Sequence, residues 1–257
     1  MQRTKRLRIF AGPNGSGKSS LYEELKHQFF TGFFINADII ASLLRQRGLI
    51  DLTELGIRVS KLDLEKFRQS VSGKSLLKKA LKDGKAIDFE LIDNFIVDKS
   101  KNTDGYEASF IAAFIRNLLI KNNKTFSFET VMSHPLKVDE MQNASDNGYK
   151  VYLYFVCINN PEINVSRVAN RVDKGGHNVD EDKIRSRYPE TLNNLYPAIK
   201  ITYRTYLFDN SNELKLIAEV YNGKLKLHVD NPPEWFIKYV LVNYVRYCKY
   251  EINKMEE

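Results

Sequence analysis

The sequence predicts an α/β protein: a mostly parallel sheet with helices on both faces, a largely helical insertion, and a C-terminal hairpin and helix. Three observations predict it. Short apolar runs suited to buried strands alternate with helix-period segments along most of the chain. A glycine-rich turn joins the first such run directly to the first helix. The 257 residues are 43% hydrophobic and 28% charged, which excludes wholesale disorder and a collagen-like chain. That length is long for one domain and short for two, so one core with an elaboration is expected. The expected division is a core domain over residues 1–230, interrupted by an insertion at about 49–106, with residues 231–257 as a helix packed on it.

Leu7–Ala11 (LRIFA) is the first strand, and a helix runs from Lys18 to about Phe30, with Leu21 and Leu25 four apart. Phe33–Asn36 is the second strand, and the helix after it stops at Gly48. Residues 49–106 are charged and broken at Gly73, Gly84 and Gly105; they are read as an insertion with its own helices and a hairpin in AIDFELIDNFIVD. A helix from Tyr106 to about Asn122 leads to a third strand, Thr125–Glu129. A helix over His134–Asn147 precedes YKVYLYFVCI, the most hydrophobic and therefore the central strand. Pro161 opens the next helix at its first turn, and Asp180 caps the one after Gly175-Gly176. YRTYLFDNS is a strand, Asn222-Gly223 turns a hairpin, and Pro232-Pro233 precede the terminal helix.

The longest unbroken apolar run is Val151–Ile158, too short to span a bilayer, and the apolar stretch at the basic start is too short for a signal peptide. Two cysteines make no disulfide framework, so a cytoplasmic location is expected. The net charge of +7 favours an anionic partner, without by itself implying nucleic acid.

In a parallel α/β sheet, ligands gather beyond the carboxyl ends of the strands. After the first strand stand Gly12, Pro13, Asn14, Gly15, Ser16, Gly17, Lys18 and Ser19, followed by Ser20. They fit G-x-x-x-x-G-K-[ST], in which glycines let backbone N–H groups turn inward around a phosphate at a helix N-terminus. Lys18 would reach the β- and γ-phosphates of ATP, and the Ser19 hydroxyl would hold Mg²⁺. Ser72-Gly73-Lys74-Ser75 copies only the tail of the pattern and is read as a turn into a helix.

Asn36 and Asp38 close the second strand. Asp38 is the candidate base for an acceptor hydroxyl; either residue could instead cap the following helix. Glu129 and Thr130 close the third. Glu129 suits a substrate hydroxyl, a Mg²⁺-bound water or a salt bridge, and Thr130 suits substrate or a turn. The central strand runs into Asn159-Asn160, so it supplies no second acid for the metal. Arg167 and Arg171 share a helix face, and Arg185 and Arg187 follow the Gly pair. Their order suggests a lid whose guanidinium groups meet phosphate oxygens, with Arg171 and Arg187 as the candidates. His177 is read as a loop hydrogen-bonding group.

GPNGSGKS (Gly12–Ser19), FINAD (Phe34–Asp38), FSFET (Phe126–Thr130), RVANRVDKGGH (Arg167–His177) and RSRY (Arg185–Tyr188), with FDNS (Phe208–Ser211) near the end, together resemble the zeta-toxin family of P-loop kinases. The resemblance covers about residues 5–220 less the insertion. It implies ATP and Mg²⁺ at Lys18 and Ser19, Asp38 as base, Glu129 at the substrate, and Arg171 with an Arg near 187 on the phosphates. Well-known members phosphorylate a 3′-hydroxyl of UDP-N-acetylglucosamine, so the implied partners are a small-molecule hydroxyl acceptor and a separate antitoxin protein. No membrane partner is expected and nucleic acid is not favoured. Two other readings stay open: an ATP-binding regulatory module without transfer activity, and a kinase of nucleic-acid ends.

Overall fold

The structure is a computed structural model that describes residues 4–176 and 178–256, and side chains as far as Tyr250. The expectation for His177 lies outside the described residues. The elements are β1 (Arg6–Ala11), α1 (Lys18–Leu25), β2 (Phe33–Ile35), α2 (Ala37–Arg47), β3 (Leu49–Asp51), α3 (Lys61–Gln69), α4 (Val71–Lys82), β4 (Glu90–Ile92), β5 (Phe95–Val97) and α5 (Gly105–Lys121). There follow β6 (Phe126–Thr130), α6 (Leu136–Asp146), β7 (Lys150–Cys157), α7 (Pro161–Asp173), α8 (Glu181–Asn193), α9 (Leu195–Ile201), β8 (Arg204–Asp209), β9 (Lys215–Tyr221) and β10 (Lys224–Leu227). A short α10 (Glu234–Phe236) and the terminal α11 (Val242–Glu256) are joined by a π-helical turn. Among the described residues, no helix is long and apolar enough to cross a membrane.

The fold is α/β. Seven strands form one sheet in the order β10-β9-β8-β7-β1-β6-β2. β1 pairs with β7, β7 with β8, and β2 with β6, all parallel; the pairings of β9 with β8 and with β10 are antiparallel. The chain divides into two compact units, one made of residues up to Phe30 and from Glu129 onward, the other of Thr31–Phe128.

In the first unit, alternation along β1 and β7 sends successive side chains to opposite sides of the sheet. Phe10, Tyr154 and Val156 meet Leu21 of α1 on one side. The rings of Phe10, Tyr154 and Tyr206 lie in a row across three strands, each stacked on the next at 5.0 Å. α1 stops at Leu25, short of the expected Phe30. Phe29 instead stacks on the Tyr154 ring at 6.1 Å, while Phe30 is left 65% exposed. α9 was not among the expected elements; its Pro197 stands in the first turn, where no intrahelical N–H is required.

In the second unit, α5 is apolar nearly all round and buried along most of its length, which makes it the unit's central helix. Phe67 of α3 packs edge-on against Phe110 of α5 with ring centroids 5.1 Å apart. The expected hairpin is β4–β5, extended by β3 to a three-stranded sheet. Ser72-Gly73-Lys74-Ser75 falls inside α4, where a side chain at Gly73 would overlap the Phe67 carbonyl.

α3 opens with a reciprocal cap: the Ser60 hydroxyl accepts from Asp63 N, and the Asp63 carboxylate accepts from Ser60 N. A hydrogen bond from Lys121, then those from Ser60, lower the Asp63 carboxyl from its ordinary 3.8 to about 2. A lowered carboxyl pKa contributes stability above pH 3.8 that is lost as the pH falls towards 2. Lys121 is 61% exposed, so the pair contributes at most ~1 kcal/mol. Lys121→Ala is expected to flatten the fall in stability between about pH 4 and pH 2, read from urea midpoints at stepped pH. An unchanged slope would remove the pair from this account.

Candidate functional site

β1 delivers the chain to Gly12 and α1 takes it up at Lys18, so the intervening loop is set by strand and helix together. Three glycines in it, Gly12, Gly15 and Gly17, are sterically required. Gly12 has φ +143° and a side chain there would overlap the Val156 carbonyl oxygen. Gly17 has φ +103° and its Cβ would stand 2.5 Å from the Asn210 amide nitrogen. The loop carbonyls are tied outward: Asn164 Nδ2 donates to Asn14 O at 2.6 Å, and Asn210 Nδ2 donates to Ser16 O at 2.8 Å.

Lys18 is 6% exposed; its Nζ donates to Pro13 O at 2.8 Å and lies 3.8 Å from Glu129 Oε1. The Ser19 hydroxyl donates to Glu129 Oε2 at 2.8 Å. One carboxylate thus meets both the lysine and the serine of the phosphate motif. Glu129 lies near the end of β6, next to β1 in the sheet. The carboxylate beside Ser19 therefore ends the strand on the other side of β1 from the central strand. The signal was present in FSFE, an acid closing an apolar strand.

Of the expected residues, the structure brings together Gly12–Ser19 and Glu129. Thr130 takes the turn role, its Oγ1 accepting from Met132 N at 3.1 Å. In the second unit, Asn36 is the cap of α2, accepting from Asp38 N at 2.8 Å and Ile39 N at 3.3 Å. Asp38 is exposed in the first turn of that helix, so its carboxylate is not consumed by capping. Arg171 is exposed in the last turn of α7, and Arg187 is half-buried on α8. Arg185 is bound to Glu162 through two hydrogen bonds of 2.9 Å and also pairs with Glu181, a structural role. α7 passes directly over the loop: a Cβ on Gly15 would meet Asn164 O, Val168 and, at 3.5 Å, the Arg167 Cβ. Arg167 is therefore the arginine whose base is nearest the loop. Asn164 was missed, because a lone Asn in a helix carries no pattern, and Asn210, though inside FDNS, was given no role.

The loop fits a polyphosphate. Ser16 is fully buried and its hydroxyl has no hydrogen-bond partner among the described residues, which suits a donor to an acceptor oxygen. The adjacent Ser19 and Glu129 offer a hydroxyl and a carboxylate, the hard oxygen donors Mg²⁺ takes while keeping most of its waters. No group of three or more His, Cys, Asp or Glu among the described residues is placed to hold a metal ion by itself.

No protein-family model matches the chain. It is 32% identical over 119 residues to an uncharacterized protein of Haemophilus influenzae (strain ATCC 51907 / DSM 11121 / KW20 / Rd), covering 46% of this chain and 85% of that protein. Its fold is similar to the crystal structure of AvrRxo1-ORF1:AvrRxo1-ORF2 with sulphate ions, at TM-score 0.58 and 16% identity over 92% of this chain and 63% of that one. It is also similar to the AvrRxo1-ORF1:-ORF2 structure with ATP, at TM-score 0.51 and 16% identity over 88% of this chain and 61% of that one. The chain spans less than two thirds of the length of these solved neighbours. At such identity the likeness is one of fold, and it agrees with the α/β architecture the sequence predicts.

Proposed function

We propose that this chain, which belongs to the same family as the uncharacterized Haemophilus influenzae protein, is an ATP-dependent kinase of a small hydroxyl-bearing molecule. A nucleotide sugar such as UDP-N-acetylglucosamine is the first acceptor to test, on the strength of the zeta-toxin resemblance. The observation that carries the reading is the joint engagement of Lys18 and Ser19 by Glu129 beside a loop whose shape only glycines permit.

In this reading the loop N–H groups, Lys18 and the Ser16 hydroxyl hold the phosphates, and Arg167 and Arg171 neutralise charge on the transferred group, with Arg187 kept as a second-line candidate. Mg²⁺, when bound, would supply positive charge against the phosphates. Ser19 and Glu129 are the residues that would hold it, Glu129 directly or through water. Asp38 takes the proton of the acceptor hydroxyl. The new bond joins that oxygen to the γ-phosphorus, the bond to the β–γ bridging oxygen breaks, and ADP leaves. An antitoxin as a separate protein and a cytoplasmic setting belong to the same proposal.

The test incubates the chain with ATP, Mg²⁺ and a metabolite pool containing UDP-N-acetylglucosamine, and seeks species heavier by one phosphoryl group. One new phosphorylated metabolite is expected. ATP bound without any such species would instead support a regulatory module. A second test concerns the metal. Glu129→Gln keeps the shape and removes the charge, and is expected to raise the Mg²⁺ concentration for half-maximal nucleotide binding roughly tenfold, with metal-free binding unchanged or tighter. An equal loss with and without Mg²⁺ would return Glu129 to the substrate.

A further inference from the structure

The chain beyond Leu214 lies outside the motifs, yet it is tied to the loops that end β7 and β8. The single tryptophan, Trp235, is 3% exposed, and its ring centroid is 6.0 Å from that of Phe155. Its indole Nε1 donates to Asp209 Oδ1 at 2.8 Å, and its backbone N donates to Asn159 Oδ1 at 3.4 Å. Asp209 also accepts from the Ser211 hydroxyl at 3.0 Å and the Ser211 N–H at 3.1 Å. The Ser211 Oγ in turn accepts from Asn159 N at 2.9 Å. The four residues close a ring: Trp235 to Asp209, to Ser211, to Asn159, and back to Trp235.

Asn210 is held inside that ring. Its backbone N–H donates to Cys157 O at 2.8 Å, so the residue is fastened to the end of β7. Its side chain then reaches the phosphate loop and binds Ser16 O at 2.8 Å. A trans peptide points its C=O and N–H in opposite directions. Drawing the Ser16 carbonyl towards Asn210 therefore turns the Gly17 N–H away from it. Asn164, on Asn14 O, does the same for the Gly15 N–H.

We infer that Asn210, braced by the Trp235–Asp209–Ser211–Asn159 ring, is a positioning residue that pre-sets the phosphate loop, and that the C-terminal segment is thereby part of the nucleotide site. The inference rests on the ATP reading above. Its physical content is preorganisation: a loop already fixed by an outward tie loses less conformational freedom when phosphate binds. Asn210 meets the loop through Ser16 O, and Trp235 and Asp209 act through Asn210. Their effect passes through the direction of one peptide group.

The test uses the full chain, with MgATP and inorganic tripolyphosphate as probes, titrated by calorimetry and by tryptophan emission. Asn210→Ala is expected to weaken both probes by about tenfold, the effect of one lost tie. Trp235→Phe, which keeps an aromatic ring and deletes the donor to Asp209, is expected to weaken both about threefold. A parallel loss for the two probes marks the phosphate loop, since tripolyphosphate has no base or sugar. In the wild-type chain, MgATP should change the emission of Trp235, and Asn210→Ala should abolish that change at saturating ATP. If Asn210→Ala unfolds, Trp235→Phe carries the test through the same two probes. Wild-type affinity for both probes in the folded variants overturns the inference while leaving the kinase reading intact. A wild-type chain that binds neither probe overturns both.

Discussion

Asp38→Asn is expected to lower phosphoryl transfer about 10²–10⁴-fold, the usual contribution of a positioned base, while ATP affinity stays within about twofold of wild type. The two effects separate because the residues differ in what they hold. Asp38 is an exposed carboxylate in the first turn of α2, and the cap of that helix is Asn36. The phosphate loop has its own ties to Asn164 and Asn210. Asn retains the size of Asp and cannot take a proton, so the loss should fall on kcat. Single-turnover transfer with the acceptor found by the metabolite screen, set beside calorimetric ATP binding, provides the two readouts. Unchanged transfer would remove Asp38 from the mechanism, and an equal loss of ATP binding would make it a nucleotide contact.

Lys18→Ala is expected to weaken ATP binding and transfer together, transfer by about 10²–10³-fold at saturating acceptor. The side chain is almost fully buried and is held between the Pro13 carbonyl at 2.8 Å and Glu129 at 3.8 Å. Deleting its charge does more than remove a phosphate donor. It leaves the Glu129 carboxylate beside the incoming phosphates with no lysine to balance it, and like charges at that range repel. A Lys18→Ala, Glu129→Gln double variant should therefore regain part of the lost affinity. Full additivity of the two losses would show that Lys18 and Glu129 act independently.

The phosphate loop was legible because its chemistry forces a pattern: glycines at fixed offsets, then Lys18 and Ser19, between an apolar strand and a helix. The central strand, the insertion hairpin and the Asn222-Gly223 turn were legible for the same kind of local reason. What escaped was long-range. Glu129 was seen as an acid at a strand end with a Mg²⁺-bound water among its roles, but which strand flanks β1, and so its closeness to Ser19, is a matter of topology. Asn164 and Asn210 act through single amide groups whose targets are distant in the chain, so no local spacing announces them. Arg167 and Arg185 look alike in sequence. Only packing separates the one whose base lies against Gly15 from the one spent on Glu162 and Glu181.

The ties that shape the phosphate loop join Asn14 to Asn164 and Ser16 to Asn210, separations of 150 and 194 residues. The loop leaves the ribosome well before the groups that set its carbonyls. At typical rates of synthesis the wait is on the order of 10–40 s. Throughout that interval the nascent chain carries the motif without its ties, so the loop is set only after Asn210 has been made, and a truncated product ending before Asn210 carries the complete Gly12–Ser19 motif without the tie that sets Gly17.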